Sequence, residues 1–208
     1  MAKQIEGVLE RILACAKQEF LDKGYTEASL RTIAAAADTS TNSIYVRFKD
    51  KEGLFSAIVE PVVNGMMEMF LKIQESFHQM DSTAQAAEMT EYAAGGMERL
   101  VDCMYDHLDA FRLLLDSSYG TRFHNFVDEM VRIEVEYTYK YMEAVGYPEQ
   151  MGDATTETVL HMVTTAYFEG IFEVVRHGMS RAEAKQYIDL LGRYHHTGFG
   201  AIFPDLPE

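Results

Sequence analysis

Tryptophan is absent from the 208 residues, cysteine occurs twice and proline four times. The cysteines, Cys15 and Cys103, stand singly in helix-like stretches without CxxC spacing. That excludes a disulfide framework or zinc motif and suits two packed thiols in a reducing compartment. No uninterrupted apolar run approaches the ~18–20 residues that cross a membrane, and the first ten residues lack a signal-peptide core. The expectation is a cytoplasmic protein with no membrane partner. Positive charge is also scarce, with Lys plus Arg 18 against Asp plus Glu 33 and a formal charge of −15. Taken as a whole, such a chain repels phosphate. A Gly-rich phosphate loop, GxSxG and HExxH are all missing. His195 and His196 are adjacent, so they cannot share one helical face as ligands. No enzyme, cofactor or metal is expected.

What remains is globular, with 48% hydrophobic and 25% charged residues. A chain this long buries about 70% of its unfolded surface without staples. Strand-like alternation is almost absent, while apolar residues recur at i, i+3, i+4, i+7 throughout. The pattern predicts an all-α protein of about nine helices. The first runs from about Ile5 to Lys23, with Gly24 as its stop. Ser29, Ser40 and Asp50 can cap the next three, ending near Ala37, Phe48 and Gln79. Pro61 falls inside the long fourth helix and should kink it. Five more are expected near Thr83–Tyr105, Ala110–Ser118, Arg122–Val145, Ala154–Arg176 and Arg181–Thr197. Gly146-Tyr147-Pro148 should end the seventh, and Gly178 with Ser180 should separate the last two.

The segment from Ile33 to Phe48 reads as a helix-turn-helix. Ala34 and Ala37 are small enough for two helices to cross closely, and Ile33, Ile44 and Phe48 can anchor them. Asp38 stands where a left-handed turn residue is needed, which Asp tolerates better than most. Ser40, Thr41, Asn42 and Ser43 form the first turn of the third helix, the part of a recognition helix that reaches base edges. Tyr45, Arg47, Lys49 and Lys51 follow within reach of phosphates, and Ser29 opens the second helix beside them. Charge partitions accordingly. Residues 1–54 hold eight Lys/Arg and eight Asp/Glu, so the whole excess of −15 lies beyond, where 10 basic face 25 acidic residues. Within Ser29–Lys51 four basic residues face two acidic ones.

From Ile12 to Phe55 the chain resembles the DNA-binding domain of the TetR family of transcriptional regulators. The matching pieces are Ile12-Leu13-Ala14-Cys15-Ala16 with Phe20, Gly24-Tyr25, and Ser29-Leu30-Arg31-Thr32-Ile33-Ala34. The most specific is Ile44-Tyr45-Val46-Arg47-Phe48-Lys49-Asp50-Lys51-Glu52-Gly53-Leu54-Phe55. The turn departs from the family's usual Gly-apolar pair and reads Asp38-Thr39, which puts a negative charge near DNA. The resemblance implies that Tyr45 and Lys51 touch phosphates and that Thr41, Asn42 and Arg47 touch bases. It also implies a helix-turn-helix domain at residues 1–50 and a ligand-binding and dimerisation domain at 51–208. The partners implied are a double-stranded DNA operator, a small-molecule inducer and a second copy of the chain, as in a repressor.

Two stripes fit a dimer: Val163, Ala166, Gly170 and Val174, and Tyr187, Ile188, Leu191 and His195. A two-fold pair of reading heads must span grooves about 34–36 Å apart. The same stripes would also fit a monomer core. Candidate ligand residues are Phe70, Phe77, Met104, Phe126, Met130, Tyr137 and Phe168, with His107, Glu134 and His161 as polar interruptions of apolar faces. An apolar or amphiphilic inducer is expected, and the acidic, Tyr- and Phe-rich composition invites a cationic one. Two rivals stay open at this point: a ligand-independent DNA-binding protein of the same fold, and an all-helical enzyme or carrier with a vestigial head.

Overall fold

A computed structural model describes residues 2–146 and 154–202. Among these it contains nine α-helices and no strand. They are α1 (Ala2–Glu27), α2 (Leu30–Ala36), α3 (Thr41–Phe48), α4 (Lys51–His78), α5 (Ser82–Asp106), α6 (Leu108–Asp116), α7 (Phe126–Ala144), α8 (Ala154–Arg176) and α9 (Arg181–Ile202). The stop expected at Gly24 is a break inside α1, with φ 71 and ψ 167. The stop at Gly146 is likewise left-handed, with φ 82. Tyr147 and Pro148 lie outside the described residues. α7 begins four residues later than its periodicity predicts. Residues 117–125 instead form turns, in which Thr121 Oγ1 donates to the Ser118 carbonyl and accepts from Phe123 N–H.

The chain divides into two compact units. One takes residues up to Gly65 together with His107–His124, so α6 and the first half of α4 join α1–α3. The other takes Met66–Asp106 and the residues from Asn125 onward.

In the first unit Ile12, Ala16 and Phe20 of α1 are fully buried with Ile33, Ile44 and Phe55. Phe55 meets Phe20 edge-on at 5.1 Å and Tyr25 at 5.5 Å. α6 packs on α1, burying Phe111 and Leu114. Around this core, Lys17 Nζ holds Asp109 at 2.7 Å and Tyr25 N–H donates to the Ser117 carbonyl.

In the second unit α7 packs on α8, and α9 on both α5 and α8. Met130, Leu160, Phe168, Phe172 and Val174 are buried without solvent contact. The turn between α8 and α9 is held to α5 by Tyr105 Oη, which donates to the Met179 carbonyl at 2.7 Å. Arg181 and Lys185 of α9 pair with Asp102, Asp106 and Glu98 of α5. Such partly exposed pairs are worth at most about 1 kcal/mol each.

α4 corrects one expectation. By length and composition it could cross a membrane, although no uninterrupted apolar run shows it. Its apolar positions are used within the chain, since Leu54, Phe55, Val59, Met66, Phe70 and Phe77 are all buried. The helix is continuous through Pro61. The cysteines are only half-buried and free, and desolvation pushes the Cys103 thiol above its ordinary range.

Candidate nucleic-acid interface and interior cavity

α2 ends as the turn chemistry demands. Asp38 N–H donates to Ala35 O at 3.2 Å and Thr39 N–H to Ala34 O at 2.9 Å, with Asp38 left-handed at φ 50. This is the Schellman arrangement with Asp in the position usually held by Gly. Ser40 caps α3 by accepting the Ser43 N–H at 3.2 Å. Ser29 stands at the start of α2, but its side chain makes no cap bond. Its N–H instead goes to Glu19 Oε1 at 3.1 Å. Glu19 is buried, and its hydrogen bond from Lys23 is the main cause holding its carboxyl below the ordinary range.

Between α3 and α4 the chain turns through Lys49, itself left-handed at φ 71. Asp50 Oδ1 caps α4 by accepting Gly53 N–H at 2.7 Å. Gly53 is there because a Cβ would lie 1.9 Å from the Phe48 carbonyl oxygen.

Ser29, Thr41, Tyr45 and Lys51 line one concave surface together with Leu30 and Arg31. Arg31 was not among the predicted contacts. Its position inside the locally basic stretch was the signal that could have found it. Ser40, Asn42, Ser43, Arg47 and Lys49 lie outside that concavity. Tyr45 is half exposed and Val46 three-quarters exposed, so α3 displays an aromatic and an apolar side chain.

Two cations are already engaged. Lys51 Nζ donates to the carbonyls of Thr26 (2.9 Å) and Ala28 (3.2 Å) and sits 4.7 Å over the Tyr25 ring. That leaves one of its three N–H donors. Arg47 folds back on α3, donating to the Ser43 carbonyl and hydroxyl.

The second unit contains a cavity of about 130 Å³. Of the ten predicted ligand residues, Phe70, Phe77, Glu134 and Tyr137 line it. Met104, Phe126, Met130 and Phe168 are buried in the core instead, because a stripe of Met and Phe fills a core as readily as it lines a pocket. His107 is exposed at the start of α6, in the first unit, and His161 is exposed on α8. Sequence reasoning missed Gln74, His78, Tyr92, Tyr167, His196 and Phe199 among the lining.

Of the predicted dimer stripes, Val174 and Ile188 are buried within the chain's own core. His195 belongs to the cavity, where its ring stacks on Tyr167 at 4.0 Å. Desolvation pulls its pKa down to about 4. Ala166 is exposed, and Val163, Gly170, Tyr187 and Leu191 are half-buried.

Among the described residues Glu134 is the one carboxyl of the cavity wall, and no Lys or Arg lines it. Desolvation raises it to about 7, against the lowering effect of its hydrogen bond from Gln74 Nε2 at 2.6 Å. His78 is tied to the Gln74 and Tyr137 carbonyls through its two ring nitrogens, at 2.9 and 3.1 Å.

A capped helix-turn-helix with an exposed, polar-tipped third helix defines the first unit as the head of a DNA-binding regulator. Residues 12–58 match the model of the bacterial regulatory proteins of the tetR family. Solved structures of similar fold include a TetR-family member from Streptomyces coelicolor, SCO3833 (TM-score 0.57, 23% identity, covering 95% of this chain and 91% of that one). The fatty acid degradation regulator FadR from Bacillus halodurans is similar at TM-score 0.56 and 18% identity, covering 89% and 94%. NalD of Pseudomonas aeruginosa, the secondary repressor of a multidrug efflux pump, is similar at 0.53 and 17%, covering 92% and 96%. No curated protein matches the chain.

Proposed function

We propose that the chain is a cytoplasmic, homodimeric repressor that binds a palindromic operator and leaves it when a small molecule fills the second unit. The carrying observation is the coexistence of a reading head in one unit with an aromatic-lined cavity in the other. A ligand-independent regulator would have no use for that cavity. The likeness to NalD, a repressor, supports the sign of regulation.

Thr41 and Asn42, at the start of α3, would meet base edges, and Asn can bond adenine bidentately. Arg47 would do so after releasing Ser43, a small cost for an exposed side chain. Tyr45, Lys49, Arg31 and the remaining Lys51 donor would hold phosphates, with Ser29, Ser40 and Ser43 beside them. The dimer would use the exposed residues of α8 and α9, where Met162, Leu190 and Tyr194 are more than half exposed, next to Ala166. The inducer must bind the state incompetent for DNA better than the competent one, or it shifts nothing.

The test is selection of bound sequences from random duplex DNA by the full chain. A two-fold symmetric site should emerge, with affinity falling steeply as salt rises. Tyr45→Ala and Lys51→Ala should each weaken binding at least about tenfold, as loss of a charge-assisted contact does. An asymmetric site, or two variants that bind normally, overturns the reading.

A further inference from the structure

From the lining of the interior cavity we infer that its ligand is a compact monoamine with an aromatic or aliphatic body, its ammonium held by Glu134. This rests on the reading of the cavity as a ligand site and names the chemistry of that ligand.

The size comes first. A cavity of about 150 Å³ lined by apolar side chains takes one benzene, and this one measures about 130 Å³. It therefore suits a single ring or short branched chain with a small polar tip.

The walls come next. Phe70, Phe77, Tyr92, Tyr141 and Tyr167 line the space, as does Tyr137, whose ring already carries the Lys140 ammonium at 4.0 Å. Ring faces attract cations more strongly when water is excluded. Phe77 packs against Tyr92 at 5.2 Å and Tyr141 at 5.9 Å, so these rings brace one another.

Charge decides between a cation, an anion and a neutral guest. Among the described residues the wall holds one carboxyl, Glu134, and no Lys or Arg. Three imidazoles are present. His78 has both ring nitrogens engaged with backbone carbonyls. His195 and His196 are held neutral by desolvation. An anion would meet the Glu134 carboxyl, and the Lys140 ammonium beside the wall is already taken up by Glu136 and the Tyr137 ring. A neutral guest would leave Glu134 with its single amide partner, Gln74. An ammonium would give the carboxyl the partner that burial denies it, since a buried charge is costly unless paired. Its remaining N–H groups would face tyrosine rings and hydroxyls.

Benzylamine, benzyl alcohol and benzoate share one ring and differ in the tip, so they separate the three cases. Titrated calorimetrically into the full chain, benzylamine should bind roughly 10- to 100-fold tighter than the other two, the range for a hydrogen bond to a charged group. Glu134→Gln should remove that preference and leave benzyl alcohol unchanged. If the variant does not fold, the three ligands on the unaltered chain still decide. Equal binding of all three, tighter binding of benzoate, or no binding of benzylamine overturns the inference. Release of a selected operator is read separately. A bound amine that leaves the operator complex intact supports the site and counts against its regulatory role.

Discussion

The two units of this chain are specified in different ways. The first holds the short helices α2, α3 and α6 beside α1, and its helix ends carry local instructions. Ser40 caps α3, Asp50 caps α4, Asp38 turns left-handed after α2, and Gly53 allows a backbone approach that no other residue permits. The second is built from long helices with large side chains, and its cavity is lined from α4, α5, α7, α8 and α9. A mutation in the first should therefore act through a single backbone contact. A mutation in the second should act through environment.

The largest effect should come from Gly53→Ala. The new Cβ would lie 1.9 Å from Phe48 O and 3.0 Å from Phe48 C, both backbone atoms that cannot swing away. The corner between α3 and α4 must open, which we expect to cost about 3 kcal/mol or more, in the range of severe core strain. Urea unfolding should show the loss, and duplex binding should disappear with it. The second unit offers no glycine of this kind. A Cβ on Gly96 would meet only the Ile73 side chain, at 3.3 Å. Gly96→Ala should therefore be mild, and an equal loss there would break the contrast.

The second unit should respond to pH instead. Glu134 is raised from 4.5 to about 7. Between those values the folded chain keeps a proton that the unfolded chain has lost. Its contribution is thus fully present below 4.5 and is lost as pH rises through about 7. His195 is lowered from 6.5 to about 4. It is neutral in the fold, so its contribution is present above 6.5 and is lost as pH falls through about 4. The two slopes oppose each other over most of one window. Glu134→Gln should remove one, and its stability should then rise with pH between about 4 and 6.5, where the unaltered chain stays flatter. Above pH 7 the variant should exceed the unaltered chain by on the order of 2–3 kcal/mol. Unfolding midpoints across that range test it, and parallel curves would mean the carboxyl is solvated.

The same contrast explains what the sequence made legible. Helix identity and the turn at Asp38 follow from neighbours within four or five residues, so they could be read in one dimension. So could the cluster of Thr41, Tyr45 and Lys51. Arg31 escaped only because nothing marked which face of α2 it occupies. The cavity is different. Phe70 and Phe168, 98 apart in number, meet at 5.8 Å, yet Phe70 lines the cavity and Phe168 does not. Periodicity gives the face of a helix, not which stretch of that face meets a void. Val174 and Ile188 are buried in the single chain, and a face that packs on a partner and one that packs on the chain itself look identical in sequence. Glu134 was legible because a carboxyl among apolar neighbours needs a reason wherever it lies.

A smaller effect separates two serines that look alike in sequence. Ser40 accepts the Ser43 N–H, so Ser40→Ala should cost about 1 kcal/mol, the usual value of a lost N-cap. Ser29 occupies the same position before α2 without a side-chain bond. Ser29→Ala should cost close to nothing in chemical unfolding. Equal losses at both positions would show that composition, not geometry, fixes a cap.

The smallest effect should be a gain. Asp38 sits at φ 50, a conformation in which a Cβ is crowded and Gly is not. The two hydrogen bonds that close the turn come from backbone N–H groups of residues 38 and 39, so Asp38→Gly leaves them in place. Relief of strain is partly offset by the greater freedom of Gly in the unfolded chain. The net stabilisation should be a few tenths of a kcal/mol to about 1 kcal/mol. The substitution also removes one of the two acids within Ser29–Lys51, at the end that must approach phosphate. Operator affinity should therefore rise at low salt and converge on that of the unaltered chain as salt is added, because exposed charges are screened over about 10 Å at 0.1 M. A gain in affinity that persists at high salt would instead place Asp38 in direct contact with DNA. A loss of stability would mean that its carboxylate, not its backbone, holds the turn.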